Sequence, residues 1–294
     1  MTPASFADRI ADDALACARK HLEFRAAVET AAAHSVAHFR NLDPPYQWIT
    51  KDVGRAAICV HALILHLVGE LTVHALTASC VANGISSPGR VQQVVRRCQD
   101  MGEMTIGAGP GLWTRRPMRL GASLVGALRD RALIDLRSTL RLAPELACAA
   151  EIAQTDDGFV AYAVAISIVA SRRREIFTFK SIPPIGFFLD REAGMLILLD
   201  LLGAQAADRK RLLETAPISR YALARRYSVS RAHINKLLAE SGAIECVDSD
   251  RVVFRPALSR AMERHFAAVF QLNHCAAQAL ASGWRFGSRA ATED

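Results

Sequence analysis

His34 and His38 stand four residues apart in a stretch of helical periodicity, and Cys17 and His21 repeat that spacing. On a helix this puts two imidazole or thiolate ligands on one face, the minimum for gripping a metal. Neither pair has an evident third and fourth ligand, so both read as ordinary helix residues. His61, His66 and His74 accompany an apolar helical run and read as core or interface histidines. The signatures of serine hydrolases, P-loop nucleotide binding and zinc peptidases are missing: there is no G-x-S-x-G, no GxxxxGK followed by Ser or Thr, and no H-E-x-x-H. The run "GAGPG" at 107–111 has the composition of a phosphate loop, but flanked by apolar segments it fits a turn between strands better. Neither enzyme activity nor a cofactor is expected.

The elements that would position a non-catalytic site come twice. "HFRNLDPPYQWITKDVGRAAICVHALILHL" (38–67) is echoed by "FTFKSIPPIGFFLDREAGMLILLDLL" (177–202). Pro44-Pro45 matches Pro183-Pro184, Trp48-Ile49 matches Phe187-Phe188, and Ile58 matches Ile197, all at an offset of 139 residues. "WTRRPM" (113–118) and "VVFRPA" (252–257) set Pro117 against Pro256 at the same offset. A repeat of that length is a duplicated domain rather than a solenoid unit. The expected units are 13–143 and 144–283, followed by a flexible tail at 284–294.

At 294 residues the chain is long enough for two such units, each with its own core. It is 51% hydrophobic and only 6% aromatic, which with the helical periodicity predicts a mainly α protein. Lys and Arg number 36 against 29 Asp and Glu, a net +7 that favours a polyanionic partner. The longest apolar runs, 56–69 and 159–171, fall short of the roughly 20 residues of a membrane span. They read as buried core helices, so no membrane partner is expected. The first residues lack the basic start and apolar run of a secretory signal. Seven cysteines without CxxC pairs fit reduced thiols and a cytoplasmic location.

Within the first copy, helical periodicity from about Asp13 to Arg40 breaks at "NLDPP", and a second helix follows with Asp52 in its first turn. "LTVHALTASCVA", a turn at Asn83-Gly84 and "SSPGRVQQVVRRCQDMG" predict two helices joined by a turn. Ser86 or Ser87 is the cap, Pro88 the first helical residue, and Val91, Val94, Val95 and Cys98 the buried stripe. "EMTIGAGPGLWTRRP" predicts two strands around a Gly109-Pro110-Gly111 tip, and a long helix from about Met118 to Leu142 closes the copy. The second copy repeats the order: a helix at about Tyr221–Tyr227, Ser230 as cap, and a helix carrying Ile234, Leu237 and Leu238. The strands "AIECV" and "RVVF" then flank an Asp248-Ser249-Asp250 turn, and a closing helix spans about Ala257 to Ala281.

A helix-turn-helix followed by a strand-turn-strand wing resembles the DNA-binding lobe of winged-helix transcription regulators, most closely the MarR-like group. The resemblance covers roughly residues 190–270 well and 50–140 less well, the first copy departing through its Asn83-Gly84 insertion and Gly-rich wing. It implies tandem duplicated winged helix-turn-helix domains forming a pseudo-dimer within one chain, because the family works as a dimer of single winged helices.

On such a fold the polar face of the second helix enters the major groove, where Arg reads guanine and Asn or Gln reads adenine. The residues implied are Arg90, Gln92, Gln93, Arg96 and Arg97 in the first copy and Arg231, His233, Asn235 and Lys236 in the second. Arg115, Arg116 and Arg119, with Arg251 and Arg255, lie in or just after the wings, within reach of phosphates or the minor groove. Ser87 and Ser230 at the helix starts would bond backbone phosphates.

The expected function is therefore a sequence-specific double-stranded DNA-binding transcription regulator, a monomeric pseudo-dimer or a homodimer. Its two unlike recognition helices would meet an imperfect palindrome with half-sites about 34 to 36 Å apart. Two other readings compete: a plasmid-type replication initiator, which also carries two winged helices in one chain, and a tandem winged-helix scaffold for protein partners. The resemblance further implies a small-molecule effector pocket near Trp48 and Phe187, although residues recurring in both copies also suit a structural clamp.

Overall fold

A computed structural model describes residues 2–286 apart from 9, 11, 109, 110 and 178–181. The protein is mainly helical, with two small antiparallel sheets. The first half runs α1 (Pro3–Ala7), α2 (Asp12–Lys20), α3 (Phe24–Asn41), α4 (Pro44–Thr50), α5 (Val53–Leu67), α6 (Val73–Ala82), α7 (Pro88–Asp100), β1 (Met104–Ile106), β2 (Met118–Leu120) and α8 (Ala122–Thr139). The second half runs α9 (Ala147–Ile152), α10 (Asp156–Arg172), α11 (Arg174–Phe177), α12 (Pro183–Leu189), α13 (Gly194–Gly203), β3 (Thr215–Pro217), α14 (Arg220–Arg226), α15 (Arg231–Glu240), β4 (Ile244–Cys246), β5 (Arg251–Phe254) and α16 (Pro256–Ala281).

The repeat is realised most closely at its double prolines. Both pairs start a seven-residue helix, α4 and α12, where proline's missing N–H and fixed φ cost nothing. Ile49 and Phe188 are buried at matching positions, as are Ile58 and Ile197. Trp48 and Phe187 are both half-buried, and each ring carries a guanidinium: Arg55 lies 4.4 Å from the Trp48 centroid and Arg191 4.8 Å from that of Phe187.

The match of Pro117 with Pro256 is a coincidence of numbering. Pro117 precedes strand β2, whereas Pro256 follows β5 and opens α16. The expected helix from Met118 is corrected accordingly: Met118–Leu120 pair with Ile106–Met104 as a strand, and α8 starts at Ala122. The periodic stretch from Asp13 to Arg40 is two helices, broken at 21–23, where the His21 ring accepts the Glu23 N–H at 3.1 Å. The Gly109-Pro110 part of the expected tip lies outside the described residues, while Gly111 has φ +91. Of the expected tail at 284–294, residues 287–294 lie outside the described residues; the Trp284 N–H bonds the Ala279 carbonyl at 3.0 Å and its side chain packs against both cores.

In the second half a third strand, β3, pairs with β5, giving the order β3-β5-β4. Pro217 is tolerated because β3 is an edge strand. The first half keeps only one trace of it: the Met118 N–H bonds the Leu71 carbonyl at 2.8 Å, just ahead of α6.

Neither apolar core is drawn from one half of the chain. Phe6, Phe24, Val28 and Phe39 of the N-terminal helices share a core with Ile197, Tyr227, Ile234, Phe254 and Phe270. Phe159, Tyr162, Ala276 and Leu280 share the other with Ile49, Leu76, Val94, Met104 and Leu124. A helix from each half thus packs on the other: α3, ahead of the first double proline, lies against α13, and α10 lies against α5. Ala27, Ala31 and Ala32 are buried on α3, and α16 packs against both α8 and α10. Burial of this interlocked apolar surface is the main force holding the halves together.

Candidate nucleic-acid interface

Helices α7 and α15 are built alike. Ser87 caps α7, its Oγ accepting the Arg90 N–H at 3.4 Å, and Ser230 caps α15, accepting the His233 N–H at 3.0 Å. Of the two candidate caps, Ser86 is instead left with a buried, unpartnered Oγ. Val91, Val94, Val95 and Cys98 face inward on α7, and Ile234, Leu237 and Leu238 on α15. The outward residues are Gln93, Arg96 and Arg97, with Gln92 half-buried, and on α15 Arg231, Asn235 and Lys236. Each helix is preceded by a short helix and a turn and followed by an antiparallel strand pair.

The third residue after each cap bonds to the segment just ahead of α5 or α13. Arg90 grips Asp52 with bonds of 2.6 and 2.8 Å, while Asp52 also caps α5 by accepting the Arg55 N–H at 2.8 Å. His233 Nε2 lies 2.9 Å from the Glu192 carbonyl oxygen. Arg55 then joins these two ends. Its guanidinium is 2.6 Å from the Glu192 carboxylate and its Nε 3.7 Å from Asp52. Lys51 adds a 3.4 Å ion pair to Glu192 and a 3.3 Å bond to the Ser228 carbonyl, and its own carbonyl accepts the Ala193 N–H at 2.5 Å. Burial works to raise the Glu192 pKa, but the Arg55 hydrogen bond and the Lys51 and Arg55 charges hold it below the usual carboxylate range. The starts of α7 and α15 are therefore tied to one junction, through Arg90, Asp52, Arg55, Glu192 and His233.

The strand pairs differ in charge. In the second half Arg251 pairs with Asp248 at 3.3 Å and Arg255 with Glu245 at 2.9 Å, so both cations are neutralised locally. Lys236 has a 3.7 Å pair with Glu240. In the first half Arg115 and Arg119 are exposed and form no ion pair among the described residues, and Arg119 faces Thr105 across β1 and β2. Arg116 bonds the Gly111 carbonyl at 3.2 Å. Glu103 fixes the base of this strand pair: it accepts the Leu124 N–H at 3.0 Å at the start of α8 and the Tyr46 hydroxyl from α4.

Beside Trp48 a shallow groove of about 450 Å³ is lined by Gln92, Gln93, Arg96, Arg97 and Asp100. It opens on the polar face of α7, and Arg55 and Arg97 both stand near the Trp48 ring, at 4.4 and 6.0 Å. Among the described residues no three His, Cys, Asp or Glu side chains gather as a metal site. His38 Nε2 is buried without a partner, and His61 Nδ1 bonds Ser79 Oγ at 2.9 Å. No single helix among the described residues is long and apolar enough to cross a membrane.

Sequence reasoning missed the junction. Asp52 carried a local signal as a helix start, but nothing near Glu192 or Arg55 in sequence marks them as partners. The chain matches no protein family, no curated protein and no solved structure.

Proposed function

We propose that the chain is a sequence-specific double-stranded DNA-binding transcription regulator, with two winged-helix units acting as a covalent pseudo-dimer. The observation that carries this reading is the junction: two Ser-capped helices with polar outer faces start from one polar cluster and are each followed by a strand pair. Two reading heads held at a set separation are what a two-half-site operator requires. Base contacts fall to Gln93, Arg96 and Arg97 on α7 and to Arg231, Asn235 and Lys236 on α15. Arg90 and His233 serve instead to aim the helices. Arg115, Arg116 and Arg119 supply phosphate contacts that the locally neutralised Arg251 and Arg255 supply less well.

Selection of bound fragments from the source genome, at low and at moderate salt, tests this reading. Enrichment of a few promoter sites with unlike half-sites, surviving moderate salt, is the expected result. Tandem direct repeats at an origin would instead identify a replication initiator. Loss of all enrichment at moderate salt would remove sequence-specific binding.

A further inference from the structure

A cleft of about 430 Å³ is lined by Arg40 and Gln47 from the first half and by Tyr221, Ala222, Arg225 and Arg226 from the second. Three guanidiniums converge there from two segments far apart in sequence. Only Arg226 has a carboxylate, that of Asp200. Arg40 and Arg225 are exposed and form no ion pair among the described residues. The Arg225 guanidinium stands 5.7 Å from the Tyr221 ring centroid, and Tyr221 is 59% exposed.

Arginines gathered in one cleft give it a positive potential that attracts anions. Guanidinium forks match phosphate oxygens in pairs, and the exposed tyrosine adds a hydroxyl donor and a ring that a sugar or base can lie against. The volume falls in the range of ligand clefts, roughly 300 to 1,000 Å³. The setting also fits. Helix α14 passes through Tyr227–Ser230 directly into α15, and Phe39 of α3 packs on Tyr227 with ring centroids 5.3 Å apart, so the cleft walls are held against the base of α15.

We infer that this cleft binds a phosphate group, supplied either by the DNA backbone flanking the groove entered by α15 or by a small phosphorylated ligand. The first source rests on the proposed function; the second does not. The test uses the full chain with Arg40→Ala, Arg225→Ala and the charge-preserving Arg225→Lys. DNA affinity is measured across a salt series, and inorganic phosphate and AMP are titrated calorimetrically at millimolar concentration.

For the backbone source, each alanine variant lowers the slope of log affinity against log salt by about 1 without changing site preference, and Arg225→Lys keeps the slope. For the small-ligand source, phosphate or AMP binds the unaltered chain and binding falls at least about tenfold in both alanine variants. If the chain binds no DNA, these titrations alone decide. An unchanged salt slope, or no DNA binding at all, together with no binding of phosphate or AMP overturns the inference.

Discussion

The guanidinium of Arg55, a residue only 9% exposed, lies 2.6 Å from the carboxylate of Glu192, 137 residues further along the chain. This pair ties the two copies together through charge, as Arg209 does with Glu29 at 2.6 Å, and it also connects Asp52 with the backbone that holds His233. Glu192→Gln leaves a nearly buried guanidinium with only the Asp52 carboxylate and the Trp48 ring for compensation. The expected loss is about 1 to 2 kcal/mol, less than for a fully buried pair because Glu192 is partly solvated. A urea unfolding midpoint measures it, and an unchanged midpoint would mean that the junction adds nothing to stability.

Arg90 and Arg96 lie on the same helix, but Arg90 bonds Asp52 whereas Arg96 is exposed and, under the proposed function, meets DNA. Arg90→Ala removes the grip on Asp52 and should lower stability by about 1 kcal/mol. Arg96→Ala should leave stability within about 0.5 kcal/mol and weaken the preferred DNA site by about 1 to 3 kcal/mol. Paired thermal melts and binding isotherms separate the two, and equal effects of both variants on both measurements would argue against this division.

His265 lies where α16 meets α8, near Asp135 and Arg131. Burial pushes its pKa down from 6.5 to about 4, with Asp135 pulling upward and Arg131 pushing further down. The unfolded chain therefore takes up the proton first as pH falls. Stability is fully present above about pH 6.5, declines between about 6.5 and 4, and gains no further loss from this group below that. His38, lowered by burial and by Arg131, contributes with the same sign. Melting temperatures from pH 7.5 to 4.5 should fall, and fall less steeply in His265→Gln.

Ala193 and Gly194 form a tight corner between α12 and α13. A Cβ on Gly194 would stand 2.2 Å from the Phe188 carbonyl oxygen, so Gly194→Ala forces backbone movement and should cost about 2 kcal/mol or more. Ala193, at φ 58, holds a left-handed conformation that favours glycine. Ala193→Gly should therefore be neutral or stabilise by up to about 1 kcal/mol. Destabilisation by both variants would place the constraint in the Ala193 side chain rather than in the backbone.

What could be read along the chain was what neighbouring residues decide. The double prolines mark α4 and α12 because ring sterics act within one turn, and Ser87 and Ser230 mark helix starts because a hydroxyl reaches an N–H three residues on. The buried stripes Val91–Val94–Val95–Cys98 and Ile234–Leu237–Leu238 follow from helical period alone. A fixed numerical offset was a weaker guide, since insertions slide one copy past the other and aligned Pro117 with a residue beyond its structural counterpart. Strand β3 escaped because three residues ending in proline carry no alternation.

The sequence by itself determined a helical, basic chain with two capped polar-faced helices. Only the tertiary structure decided that α3 and α10 pack on each other's copies, that Arg90 and His233 bond to Asp52 and Glu192, and that Arg40 joins Arg225 in one cleft. The reason is range: caps, turns and periodicity act over a few residues, whereas an ion pair across 137 residues exists only once buried apolar surface has brought two distant segments together.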